Sequence, residues 1–438
     1  MFSKSDLVAG AMGCCSCFGF GRKRQVPRRN HSVSQDYLLE DEEEEDEIDD
    51  NDNVGWYNGE TTDCEEAEQE LPDSVKRTEE ILNFREQNGM ICRQFPVKQT
   101  HHLIRSEDEN GIRTINEYVR VCKIGSGSYG KVVLYRSNSD RKHYAIKAFH
   151  KSHLVKQRVA PSESAMTDVL REVVIMNMIE HPNIVNLIEV INDPNTDHFY
   201  MVLEYVDGRW AWEGSFPPLG ENTARRYMRD IVSGLMYLHA HNIVHLDIKP
   251  DNLLVTLTGV VKIGDFSVSQ VFEGDNDVLQ RSPGTPVFTA PECCLGLSYR
   301  GRAADTWALG VTLYCMILGK YPFLGESLQD QYDKIVNNPL VLPADMNPQL
   351  RELIEGLLCK DPAHRMTLEE VAKHAWVVGK DGSIRRHLCW CERRKQQREQ
   401  QRQANGDQDK PLITLSESES DRIEAYDDDR HVVVTNGN

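Results

Sequence analysis

No stretch of this 438-residue chain approaches the roughly 20 consecutive apolar residues that a membrane-spanning helix needs. No secretory signal is visible, and the twelve cysteines show no paired C-x-x-C spacing of a zinc ribbon. These absences predict a soluble, reduced, intracellular chain. Net positive charge is missing too: 50 Lys and Arg face 69 Asp and Glu, a formal balance of −19. That excludes a general nucleic-acid binder, which needs a basic footprint. Internal repeats are also lacking.

Hydrophobicity is present but unevenly placed. Residues 1–113 carry an acidic run from Glu40 to Asp52 and too little apolar content to offset the entropy of ordering, so a largely disordered extension is expected. Two local features interrupt it. Leu7–Phe20 holds Cys14, Cys15 and Cys17 ahead of Arg22, Lys23 and Arg24, a pattern open to reversible acylation beside an anionic membrane. Asp73–Gln87 has helical spacing, marginal unless docked. From Ile115 the pattern turns to strands over Tyr118–Ile124, Lys131–Tyr135, Tyr144–Phe149, Ile184–Ile191 and Phe199–Tyr205, with a helix over Asp168–Ile179. Helices follow over 222–239, 302–318, 328–336, 348–358 and 368–373. The expectation is an α+β unit over 118–377, with a β-rich lobe before a helical lobe. A charged, disordered tail over 380–438 is expected to follow.

The chemistry sits in motifs along that unit. Ile124, Gly125, Ser126, Gly127, Ser128, Tyr129, Gly130, Lys131 and Val132 form a glycine turn between two strands. Glycine lets backbone N–H groups approach phosphate oxygens, and strands on both sides point away from a dinucleotide fold. One strand later stands Lys147, fit to pair α- and β-phosphates, with Glu172 on the next helix as its expected ion-pair partner. His245–Asn252 supplies Asp247 to orient a hydroxyl proton, Lys249 to neutralise transferring phosphate and Asn252 to hold magnesium. Asp265 follows at loop distance as the main magnesium ligand, since hard Mg²⁺ wants oxygen donors. Glu292 should pair bidentately with Arg365, and Asp305 and Trp307 fit a helix bracing the catalytic loop.

In this order and spacing the motifs resemble those of eukaryotic protein kinases, and the resemblance implies Leu203 as gatekeeper with Glu204 to Val206 as the adenine hinge. The stretches Asn186–Pro194, Asp265–Ser269, Ser282–Cys294 and Gly310–Gly319 further resemble the plant geminivirus Rep-interacting kinases, which activate sucrose-nonfermenting-related kinases. They are similar to animal calcium/calmodulin-dependent protein kinase kinases. The resemblance implies a serine/threonine kinase using ATP and Mg²⁺ and able to autophosphorylate. It also implies kinase substrates phosphorylated on an activation-loop threonine, a geminiviral replication protein as partner, and a place in cytoplasm and nucleus. Leu246 departs from the pattern where arginine usually precedes the catalytic aspartate, and Ser267 where glycine usually follows Asp265–Phe266. The usual phosphothreonine clamp is replaced by Leu246, Gln270 and Asp168, with Arg281 at the phosphosite. A charge-exchanged pair, Arg281 with Asp168, is therefore expected. A pseudokinase scaffold would have lost Lys147, Asp247, Asn252 or Asp265, and all four are present. Calmodulin control is not expected, because Arg393–Arg402 offers only polar and charged side chains.

Overall fold

The computed structural model describes residues 91–404, except 128, 161–162, 215–216, 281–283, 297 and 386, together with 80, 81, 83–85 and 87; all lie within the compact unit Glu66–Asn438. The Cys14, Cys15 and Cys17 cluster lies outside them. Of Asp73–Gln87, the described residues 80, 81, 83–85 and 87 are helical.

The first lobe is one eight-stranded sheet. Its strands are β1 (Lys98–Thr100), β2 (Arg105–Glu107), β3 (Arg113–Ile115), β4 (Tyr118–Ser126), β5 (Lys131–Ser137), β6 (His143–His150), β9 (Leu187–Asn192) and β10 (His198–Glu204). Between β6 and β9 come α1 (Lys151–Lys156), a small hairpin of β7 (Arg158–Ala160) and β8 (Glu163–Ser164), and α2 (Ala165–Met178). The spatial order is β1-β9-β10-β6-β5-β4-β3-β2. Strand alternation explains why the sheet needs cover on both faces. On β10, Phe199, Met201 and Leu203 join the main core with Val169 and Val173 of α2, while Tyr200 and Val202 join a second cluster with Ile115, Tyr118 and Ile146.

That second face is covered by the N-terminal flank, which corrects the expected boundary at 113. The strands β1, β2 and β3 within residues 98–115 belong to the sheet although their sequences, KQT, RSE and RTI, offer one apolar residue, the buried Ile115. What recruits them is a distant acid: Glu189, 1% exposed, accepts from Tyr118 Oη (2.6 Å), Thr100 Oγ1 (2.5 Å) and Lys98 Nζ (3.1 Å). β1 pairs with β9 in parallel, Lys98 opposite Glu189.

The second lobe is helical: α3 (Glu221–Ala240), α4 (Pro291–Cys294), α5 (Gly301–Leu318), α6 (Leu328–Asn337), α7 (Pro348–Leu357), α8 (Leu368–Lys373), α9 (Ala375–Val378) and α10 (Trp390–Ala404). α10 corrects the tail expectation, since residues 390–404 are helical. Its sequence is almost wholly polar, so no apolar stripe announces it. Among the described residues no helix is long and apolar enough to cross a membrane.

Arg93 ties the flank to the sheet lobe's helix. Its buried guanidinium donates to the carbonyls of Met176 (3.0 Å), Ile179 (2.9 Å) and Leu187 (2.7 Å). Those at the end of α2 are carbonyls a helix leaves unbonded. Arg93→Met is expected to lower unfolding stability by about 2–3 kcal/mol through these orphaned acceptors. Denaturant melts check this, and an unchanged midpoint would contradict it.

Candidate active site

β4 and β5 are antiparallel, and the turn between them closes with Gly127 N–H donating to the Gly130 carbonyl at 2.7 Å. Gly130 must be glycine because an added Cβ would lie 2.2 Å from the Ala148 carbonyl oxygen. A Cβ on Gly125 would meet nothing within 4 Å. Ile124 and Val132 flank the turn, Val132 packed against the main core. Ser128 lies outside the described residues. The turn is also fastened to α2: Tyr129 Oη donates to Asp168 Oδ2 at 2.6 Å.

Lys147 projects from β6, paired with Val132 on β5 and Met201 on β10. Its Nζ lies 2.7 Å from Glu172 Oε1 and 3.2 Å from Asp265 Oδ1. One cation therefore joins the sheet, α2 and the loop from the other lobe. Burial pulls the Lys147 ammonium down, but Asp265 and Glu172 outweigh it and hold it above the ordinary lysine value. Asp265 shows the converse: burial works against its charge, and Lys147 nonetheless holds it at about 2. Glu172, the more buried carboxyl, is pushed up by burial despite Lys147.

The catalytic loop hangs from one buried carboxylate. Asp305 on α5 accepts from the backbone N–H groups of His245 (2.9 Å) and Leu246 (2.7 Å), and from His239 Nε2 (2.8 Å). Leu246 is held at φ 66° and Asp265 at φ 59°, conformations that side chains resist and surrounding bonds must enforce. The two strained residues are linked through His245, whose Nε2 donates to the Gly264 carbonyl (3.1 Å) while its Nδ1 accepts from Asp247 N–H (3.3 Å).

Asp247 is then surrounded by donors. Lys249 Nζ lies 2.9 Å from its Oδ2. Asn252 Nδ2 donates to the same Oδ2 at 2.9 Å and to the Asp247 carbonyl at 2.8 Å, which leaves Asn252 Oδ1 as an acceptor. Thr285, which the sequence marks within Gly284–Pro286 at the substrate-facing end of the activation segment, reaches this aspartate: its N–H (3.1 Å) and Oγ1 (2.7 Å) both donate to Asp247 Oδ1, and Lys249 Nζ donates to its Oγ1 at 2.7 Å. These bonds tie the activation segment directly to the catalytic loop. The oxygen set of Asp265 and Asn252 fits a hard cation such as Mg²⁺. The Glu204 carboxylate turns to Lys262 (2.9 Å) and the Asn186 N–H (3.2 Å).

The activation segment is anchored at both ends. Asp277, 1% exposed, accepts from Arg300 Nη1 (3.0 Å) and from Arg302 N–H (2.9 Å) in the first turn of α5. Val278 and Leu279 pair with Arg300 and Tyr299. At the far end Glu292 and Arg365 form the expected fork, at 2.6 and 2.7 Å, with Arg365 also reaching the Ala303 carbonyl. Trp307 is fully buried beside Arg365, as expected of the bracing helix. Arg281 lies outside the described residues. Asp168 is occupied by Tyr129 and by Arg171 Nη1 (2.9 Å).

A strand lysine shared by two acids, facing an aspartate ringed by a lysine, an asparagine and a threonine, has the parts of a phosphotransferase. In agreement, the family model described as protein kinase domain matches residues 118–377. The serine/threonine-protein kinase GRIK2 of Arabidopsis thaliana is 71% identical over 335 residues, 76% of this chain and 82% of the relative. GRIK1 of the same plant is 63% identical over 412 residues, 92% and 99% of the two chains. A calcium/calmodulin-dependent protein kinase kinase of Caenorhabditis elegans is 40% identical over 311 residues, 66% and 57%. The chain belongs to the geminivirus Rep-interacting kinases, a plant family of serine/threonine protein kinases.

Lys147→Ala and Asp247→Asn are each expected to cut phosphate transfer at least ~100-fold while circular dichroism shows the fold intact. Asp247→Asn activity within ~10-fold of the parent would break the assignment of that residue.

Proposed function

We propose that this kinase transfers the γ-phosphoryl group of ATP to the activation-loop threonine of a second kinase, of the sucrose-nonfermenting-related type. The observation that carries the phosphotransfer is the single cation of Lys147 held between Glu172 and Asp265, 2.7 and 3.2 Å away. In that reading the Ile124–Val132 turn covers the phosphates, with Gly125, Ser126, Gly127, Ser128, Tyr129, Gly130 and Lys131 at its tip. Lys147 meets the α- and β-phosphates. Glu204 and Val206 offer backbone groups to adenine. Asp247 orients the attacking hydroxyl while Thr285 holds its Oδ1 in place, and Lys249 neutralises charge on the moving group. Asp265 and Asn252 would hold Mg²⁺, which would supply further positive charge to the phosphate oxygens.

The upstream role is supported by the names of the relatives and by the surface beyond the hinge. Kinases that prefer arginine ahead of the phosphosite place a glutamate there; this chain has Asp207–Trp210. Arg209 and Trp210 instead pair with Val255 and Leu254, and Asp207 Oδ1 accepts from Leu257 N–H at 3.2 Å. A folded kinase domain, presenting more surface than its phosphosite, suits such a site better than a short basic peptide. Autophosphorylation, residence in cytoplasm and nucleus, a viral replication protein as partner, and acylation at Cys14, Cys15 or Cys17 belong to the same proposal.

Kinase-dead domains of sucrose-nonfermenting-related kinases are expected to be phosphorylated on the loop threonine with kcat/KM at least ~10-fold above arginine-rich peptides. Equal efficiency on both substrates would refute the substrate class and leave the phosphotransfer standing.

A further inference from the structure

Away from the cleft, four side chains from three distant parts of the chain converge. Cys92 lies in the N-terminal flank, His241 directly follows α3, and Cys389 and Cys391 stand at the start of α10. Their three Sγ atoms and one imidazole nitrogen all lie within 4.8 Å of one another. Cys391 Sγ is 3.0 Å from Cys92 Sγ, 2.7 Å from Cys389 Sγ and 3.7 Å from His241 Nε2. The three cysteines are 2%, 1% and 7% exposed and His241 is half-buried.

Packed inert thiols explain this poorly. Buried cysteines act as small hydrophobes and gain nothing from being gathered against one another. A disulfide would use two sulfurs and leave a third thiol and an imidazole facing it. The surroundings instead suit a cation. His241 Nδ1 lies 2.7 Å from the Tyr237 carbonyl, which can only accept, so Nδ1 carries the proton and Nε2 turns its lone pair to the thiols. Metal-binding histidines are oriented in this way. The Glu392 N–H donates to Cys389 Sγ at 3.4 Å from the first turn of α10, an arrangement that favours thiolate. Arg85 Nη2 donates to the His241 carbonyl at 2.8 Å, bringing a positive charge to balance three thiolates around a divalent ion.

We propose that Cys92, His241, Cys389 and Cys391 bind one zinc ion as a closed, structural site. Three soft thiolates, one imidazole and no open position define the tetrahedral donor set that selects zinc. A tetrahedron with ~2.3 Å metal–sulfur bonds has edges of ~3.8 Å, so seating the ion spreads the sulfurs by about 1 Å. Binding releases the three thiol protons to solvent and requires no oxidant. Its place in the fold gives the ion a task. Cys92 N–H donates to the carbonyl of Met178, the last residue of the helix that carries Glu172. Zinc would staple the N-terminal flank, the end of α3 and the C-terminal helix together behind that helix.

The test uses the full-length chain, purified under reductant without chelator or polyhistidine tag, and elemental analysis. The expected result is about one zinc per chain, falling below ~0.1 in Cys389→Ser/Cys391→Ser and unchanged in Cys293→Ser. Cobalt loaded in place of zinc should give tetrahedral visible bands with thiolate charge transfer, a readout that survives even if the double variant fails to fold. A full-length chain with less than ~0.1 zinc and no cobalt spectrum overturns the proposal. A mass two hydrogens lighter, showing a disulfide within the cluster, overturns it equally.

Discussion

The Lys147–Glu172 ion pair is the constraint on which the rest of the molecule depends. Its two charges are nearly excluded from water, at 13% and 2% side-chain exposure, and a buried charge without its partner is costly. The pair therefore demands that α2 lie close under the sheet, and the surrounding structure meets that demand at both ends of the helix. At the start, Asp168 is tied to Tyr129 of the glycine turn and to Arg171. At the end, Arg93 grips the carbonyls of Met176 and Ile179. Asp265 completes the arrangement from the other lobe, so the cleft closes around one shared cation rather than around a hinge alone.

A second carboxylate does for the helical lobe what Lys147 does for the sheet. Asp305 collects two backbone N–H groups and His239, and thereby enforces the left-handed turn at Leu246. The arginine usual before the catalytic aspartate would bring a cation for a phosphorylated segment. With leucine there, the segment is fixed by other means: Asp277 on α5, Thr285 on Asp247 and Lys249, and Glu292 on Arg365. These contacts link the segment's two ends directly to the catalytic loop and its bracing helix.

The parts of the site that are local in sequence were legible there. Lys147, Asp247, Asn252 and Asp265 sit in short motifs whose order identifies them, and Glu172 follows from helix spacing. Strand boundaries were close for the same reason: β4, β5, β6 and β10 carry apolar residues that mark them. What escaped was held together by pairs far apart in the chain. The polar flank of residues 98–115 shows no periodicity and is fixed by Glu189, some 90 residues on. Thr285 is marked in sequence as part of the activation segment's substrate-facing end, but its bonds to Asp247 and Lys249 appear only once the fold brings them together. The Cys389-x-Cys391 pair lacks the spacing by which metal sites are usually noticed, and its other two donors lie about 150 and 300 residues upstream.

The coupling at Lys147 is measured most directly by a double-mutant cycle on single-turnover phosphate transfer, with Lys147→Met, Glu172→Gln and the double variant. If the two side chains act as one unit, the double variant is no slower than the worse single variant, because either change already frees the other group. Rates that multiply, so that the double variant loses the product of the two single losses, would show the residues acting independently and would contradict the account.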